Sequence, residues 1–313
     1  MKHGKSTGLM FATFSGLLFG TASILVRFAG SLDSFLISAL RLSIGAGVVV
    51  IFVLGRSLIL KKSLGFPKML NLKSVVFLSI VSGVHFLSFV IAMKTGVILR
   101  ALIIVNCAPV LVLIINSFLI RKTPSKVEVL AIFIAFVGIA ILVTNGDFGA
   151  VFQGGNLLIT DFWAFICAIT YAAYIIWASE FRKTRASSDI MFVFFLSGAI
   201  LLWLVLIVKS TFFMLDESTS NILSSLDFNE NFIYILLLGI IPTGIGHFLF
   251  NFSFRFMPVL TTATITVLEP ISGGIYAAIL LPNQTLNPIQ YCGIALSLAG
   301  LIIISLAPAK KPD

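Results

Sequence analysis

Charge is scarce in this chain. Only 11% of its 313 residues are Asp, Glu, Lys or Arg, whereas 59% are hydrophobic and mean hydropathy is +1.12. That composition excludes a soluble globular domain and a disordered chain alike. Cysteine is nearly as rare: Cys107, Cys167 and Cys292 all fall in apolar runs and share no metal-ligand spacing. Neither a disulfide framework nor a metal site is expected, and the three read as small packing residues. No phosphate-binding glycine loop is present, so ATP is not the expected direct energy source, and nothing calls for a cofactor. With about 20 residues per membrane crossing, roughly ten helices fill the chain and leave no room for a soluble catalytic domain.

What is present is a series of ten apolar segments, at 8–29, 34–54, 73–93, 97–119, 127–144, 158–178, 189–209, 231–252, 259–281 and 287–306. Each is continuously apolar rather than alternating, which argues for helices and against an outer-membrane barrel. The expected fold is therefore all-α and integral to the membrane, with ten transmembrane helices. Lys2 and Lys5 precede a first run that is too long for a signal-peptide core and lacks a convincing cleavage site, so it is read as the first helix.

A net charge of +9 invites a nucleic-acid reading, but the basic residues are distributed over alternate loops. Most of the 21 Lys and Arg fall on one side: at the start, in the connections holding Arg56, Lys61, Lys62, Lys68 and Lys73, then Arg121, Lys122 and Lys126, then Arg182, Lys183 and Arg185, at Arg255, and at Lys310 and Lys311. The opposite connections 145–157 and 282–286 have none, and 210–230 carries Asp216, Glu217, Asp227 and Glu230. Topology accounts for the charge: a multi-pass protein of the inner, cytoplasmic membrane with both termini cytoplasmic.

The chain also repeats itself. His85-Phe86-Leu87 in the third segment is matched by His247-Phe248-Leu249 in the eighth, and Gly138 and Gly300 lie at equal distances downstream. Pro109 aligns with Pro270 after a one-residue shift, and Phe19-Gly20 fits Tyr171-Ala172. The halves are drawn at 1–145 and 158–313, joined by an outer linker at 146–157. Five helices per half is an odd number, so the second copy enters from the opposite side. Such an inverted repeat implies alternating access around a site near the membrane midplane.

Ala39-Leu40-Arg41-Leu42, Tyr171-x-x-Tyr174 and Leu268-Glu269-Pro270, on a five-plus-five inverted repeat, resemble the ten-helix EamA-type members of the drug/metabolite transporter superfamily. The resemblance covers nearly the whole chain. It departs after the fourth and ninth segments, where family members often carry Gly-Glu and this chain has Arg121-Lys122 and Asn283-Gln284. Resemblance implies amino acids and their derivatives as the commonest substrates, and in some relatives uptake or exchange of S-adenosylmethionine.

Several residues stand out as substrate or transport contacts. Glu269 is a carboxylate at membrane depth, a placement that costs at least ~2.5 kcal/mol without a partner, a watery cavity or a proton. It either binds an amino-bearing solute and exchanges a proton with it, or accepts hydrogen bonds as a cap at the Pro270 helix break. His85 and His247 should meet across the repeat axis, as proton or substrate contacts or as interhelical hydrogen-bonding groups. Asn106 near Pro109 is the polar counterpart of the Glu269 region, there for solute or for backbone released by the proline. Tyr171 and Tyr174 offer an aromatic wall. Gly273 and Gly274 should loosen the ninth helix, and Gly239, Gly244 and Gly246 the eighth around Pro242. Gly16 and Gly20 form a small-xxx-small packing pair. Arg27, Arg41, Lys94, Arg100 and Lys209 read as snorkelling anchors, with Arg41, set deeper, a contact for anionic groups.

The composite expectation is a secondary transporter for a small polar metabolite, proton-coupled or exchanging. The expected partners are the solute, protons where they couple and membrane lipid, with no nucleic acid; oligomeric state is open. A membrane-embedded enzyme would need clustered acids, a histidine-rich metal set or a nucleophile with its base, and the segments hold no such cluster.

Overall fold

The computed structural model describes residues 2–30, 32–60, 71–95, 98–119, 124–149, 157–212, 231–280 and 286–306. Among them ten helices are long and apolar enough to cross a membrane: α1 (Gly4–Phe28), α2 (Ser34–Ile59), α3 (Leu72–Thr95), α4 (Ala101–Phe118), α5 (Lys126–Thr144), α6 (Leu158–Phe181), α7 (Ser187–Thr211), α8 (Phe232–Ser253), α9 (Val259–Leu280) and α10 (Pro288–Leu306). The acidic residues of 213–230, the pairs Lys61-Lys62 and Arg121-Lys122, Asn283-Gln284 and the terminal lysines lie outside the described residues.

The main packings run between the two halves and come in related pairs. α1 lies on α8 and α9, and its counterpart α6 lies on α3 and α4; α2 faces both α7 and α8, and α7 faces α2 and α3. α5 and α10, the last helices of the halves, pack on each other. This is the pattern of an inverted repeat about an axis between the halves.

Small residues permit these approaches, because lipid supplies no hydrophobic push between helices and close packing must do the work. A Cβ on Gly138 would lie 2.4 Å from the Ser297 backbone nitrogen, and one on Gly300 2.6 Å from Ala135 N. The Gly16 and Gly20 pair seats α1 on α9, as the spacing predicts: a Cβ on Gly20 would meet Ser272 Oγ at 2.0 Å, and Ser272 Oγ donates to Gly16 O at 3.2 Å. Gly273 belongs to this contact, with Gly20 O 3.2 Å from its virtual Cβ. It does not loosen α9, which is regular from Leu268 to Leu280. Cys292 is exposed on the outside of α10, so it is not a packing residue as Cys167 is.

Both repeat-related prolines sit just after an interruption. α4 breaks at Asn106 and Cys107 before helix resumes at Ala108, and α9 passes through a 3-10 turn at Ile265–Val267 before helix resumes at Leu268. The break expected at Pro270 therefore falls about one turn earlier. Proline is tolerated in the first turn of a helix, where its missing N–H has no partner to lose. Pro242 has the larger effect: α8 widens into a π-helix over Gly239–Gly246, a distortion with no counterpart in α3.

Candidate functional site

The broken and widened helices surround one small cavity. Arg41 of α2, His85 of α3, Tyr171 of α6, His247 of α8, Glu269 of α9 and Phe19 of α1 contribute to its wall, so both halves supply it. It measures about 30 Å3, room for one or two water molecules.

Local chemistry explains how Arg41 is aimed. In an α-helix the N–H of residue 242 would bond to the carbonyl of Leu238, but proline has no N–H. The π-helical turn shifts the backbone ladder by one residue to avoid that loss; Thr243 Oγ1 donates to Leu238 O at 2.7 Å, and its remaining lone pairs accept Arg41 Nε at 3.0 Å. The guanidinium also lies 4.6 Å over the Phe86 ring, a cation–π contact. Arg41 is 2% exposed, yet its Nη1 has no hydrogen-bond partner among the described residues.

Glu269, 8% exposed, faces the same cavity in the first turn after the α9 interruption. Its carboxylate makes no hydrogen bond and no ion pair among the described residues, so the capping role is not the one it fills here. Arg41 and Glu269 act on each other electrostatically across the cavity without closing into a salt bridge. A desolvated guanidinium and a desolvated carboxyl group held apart are costly, and a ligand carrying the complementary groups would satisfy both.

The histidines meet as the repeat predicts, with ring centroids 6.3 Å apart. His85 Nδ1 lies 3.2 Å from Cys167 O, and His247 Nδ1 lies 2.9 Å from Pro242 O. A carbonyl only accepts, so in each ring Nδ1 carries the hydrogen and Nε2 keeps its lone pair. The aromatic partners are exchanged between halves: Tyr171 of the second half stacks on His85 at 4.9 Å, and Phe19 of the first half packs on His247 at 4.6 Å. The weak alignment of Phe19 with Tyr171 thus marks equivalent positions in the site.

Not every expected residue gathers here. Tyr171 lines the cavity with a buried, unpartnered hydroxyl, but Tyr174 points into the core, donating to Met191 Sδ at 3.1 Å and accepting from Asn251 Nδ2 at 3.1 Å. Asn106 is 2% exposed and lies outside the cavity wall, to which its neighbour Val105 contributes. Asn106 Nδ2 donates to Leu102 O at 3.0 Å, a carbonyl that already accepts Asn106 N–H, so the side chain does not serve backbone released by Pro109. Pro109 and Pro270 position the chain without lining the cavity. Arg41 belongs to the site rather than to the anchors; its depth in α2 was the signal.

Two contiguous segments, residues 6–144 and 158–306, match the model of the EamA-like transporter family. The chain belongs to the EamA-like transporter family. Among curated relatives, the Uncharacterized transporter YwfM of Bacillus subtilis (strain 168) is 24% identical over 305 residues, covering 96% of this chain and 95% of its own. An Uncharacterized transporter of Archaeoglobus fulgidus is 22% identical over 309 residues, covering 97% and 96%. A crystal structure at 16% identity superposes with a TM-score of 0.74 over 95% of this chain and 96% of its own, a likeness of fold. This EamA-type chain is thus a multi-pass membrane transporter built from two copies of the family unit.

Proposed function

We propose that this transporter moves small zwitterionic metabolites, amino acids or their derivatives, by alternating access across the cytoplasmic membrane. The observation that carries the reading is a buried guanidinium and a buried carboxyl group, not paired to each other, on one cavity. The Arg41 guanidinium would take a carboxylate and the Glu269 carboxylate an ammonium group, with His85, Tyr171 and Phe19 packing on the body of the solute. The two histidine Nε2 atoms are acceptors for a further ammonium or hydroxyl hydrogen.

A cavity of about 30 Å3 is too small for an amino acid, so loading requires the halves to move apart. The end bearing Asp33 and Lys209 is held together across the halves: Lys209 Nζ reaches Asp33 Oδ2 at 3.3 Å. In this reading that end faces outward and the basic end faces the cytoplasm, as the Lys and Arg distribution favours.

The test is counterflow into proteoliposomes preloaded with unlabelled amino acids or with S-adenosylhomocysteine, using labelled amino acids and S-adenosylmethionine. Wild type is compared with Glu269→Gln and Arg41→Gln. Amino-acid counterflow lost in both variants is the expected result. Counterflow of S-adenosylmethionine alone would transfer the site to a sulfonium nucleoside, and amino-acid counterflow that survives both substitutions would remove the charge pair from the mechanism.

A further inference from the structure

A second concavity, separate from the cavity between the halves, opens at the basic end. It measures about 610 Å3 and is formed where the C-terminal ends of α2, α6 and α8 meet the N-terminus of α7. Arg56, Arg182, Arg185 and Arg255 line it, together with Ser187 and Phe52.

Positive charge at this end is expected from topology, but topology needs only hydrated, exposed cations. Arg182 is neither. It is 8% exposed, its Nη1 is spent on Arg185 O, and its Nε has no partner among the described residues. Burial, and beside it the like charge of Arg255, hold the guanidinium below the ordinary arginine range. Asp189, in the first turn of α7, is the acidic group that acts on Arg182, and it forms no ion pair with it. The other nearby carboxylate, Glu180, is paired to Lys183 at 2.6 Å.

Ser187 repeats the pattern. It is 4% exposed, its hydroxyl is unpartnered, and it stands at the first helical position of α7, where backbone N–H groups point out of the helix end. A buried guanidinium without an ion-pair partner among the described residues, a free hydroxyl and a helix N-terminus on one basic concavity together specify an oxyanion.

We infer that the vestibule binds a phosphoryl oxyanion, with Arg182 and Ser187 at its base and Arg56 and Arg255 at its rim. The chemistry is shared by the headgroup phosphate of an anionic lipid and by soluble phosphate. Phe52, on the wall, is 46% exposed and continues into the exposed apolar end of α2 at Leu58 and Ile59, a surface along which acyl chains could lie. The inference is independent of what occupies the cavity between the halves.

The experiment uses the full-length protein in phosphatidylcholine nanodiscs. Binding of phosphatidylglycerol is read by native mass spectrometry, and binding of inorganic phosphate by thermal shift at fixed ionic strength. The variants are Arg56→Gln, Arg182→Gln combined with Arg255→Gln, and Lys126→Gln, an exposed cation outside the vestibule, as control. Retention of phosphatidylglycerol should fall at least ~5-fold in the double variant and measurably in Arg56→Gln, and stay unchanged in Lys126→Gln. A phosphate shift that disappears in the same variants, without selective lipid retention, assigns the site to soluble phosphate. Arg56 is exposed, so its variant remains informative if the double variant fails to fold. Equal losses in Lys126→Gln, or neither ligand responding to Arg56→Gln and the double variant, would overturn the inference.

Discussion

Arg41 Nε donates to Thr243 Oγ1 at 3.0 Å across a sequence separation of 202 residues. The bond joins α2 to the π-helical turn that Pro242 creates in α8, so a local backbone distortion in one half orients the cation contributed by the other. Thr243→Val removes the acceptor and the donor to Leu238 O together. A hydrogen bond to a charged group is worth about 1.5–3 kcal/mol, so amino-acid counterflow should fall ~10-fold or more, with Thr243→Ser near wild type. In an Arg41→Gln background, where counterflow is already lost, the same threonine change should add little to the loss of thermal stability. Additive losses in the double variant would show that Thr243 acts through something other than Arg41.

The two histidines spend Nδ1 on backbone carbonyls and leave Nε2 for the cavity. Asparagine can reproduce the Nδ1 donor but does not reach the position of Nε2. His85→Asn and His247→Asn should therefore keep thermal stability within ~1 kcal/mol of wild type while counterflow declines. Stability that collapses with activity in both would make them packing groups alone.

Gly138 sets the distance between α5 and α10 because what faces it is backbone, which cannot rotate away as a flexible side chain can. Gly138→Val should lower the unfolding temperature and the monodisperse yield, at a cost of ~1–3 kcal/mol or more. Gly47, with open space around its virtual Cβ, is the matched control, and Gly47→Ala should be silent. Equal behaviour of the two substitutions in a thermal-stability assay would contradict the packing assignment.

Asp33 has two separable roles. Its Oδ1 accepts from Phe35 N at 2.8 Å and Leu36 N at 3.1 Å, capping α2, while Oδ2 meets Lys209. Asp33→Asn keeps the cap and loses the ion pair, which is half-exposed and worth about 0–1 kcal/mol. Asp33→Ala loses the cap as well, about 1 kcal/mol more. Thermal unfolding should rank wild type and Asp33→Asn close together with Asp33→Ala below; the reverse order would mean that the ion pair, not the cap, holds this end.

Much of the architecture was legible in the residues because membrane insertion leaves a strong signature. Continuous apolar runs are required to satisfy the backbone internally, and the His-Phe-Leu repeat was informative because His85 and His247 line one cavity from the two halves. Glu269 stood out because an intramembrane carboxylate needs a reason. Tyr171 and Tyr174 could not be separated in this way. They are one helical turn apart, and a modest difference in angle sends one to the cavity and the other to Met191 and Asn251.

By itself, the sequence determined the number of helices, the two-fold internal repeat and the presence of a costly buried charge. These depend on hydrophobicity and spacing along the chain, which are local properties. Tertiary structure decided which charges share a space. The grouping of Arg41 with Glu269, the exchange of Phe19 and Tyr171 between the histidines, and the unpaired Arg182 beside Ser187 depend on which helix faces are apposed. Rotation and tilt of apolar helices are set by packing against neighbours, not by any one segment's composition.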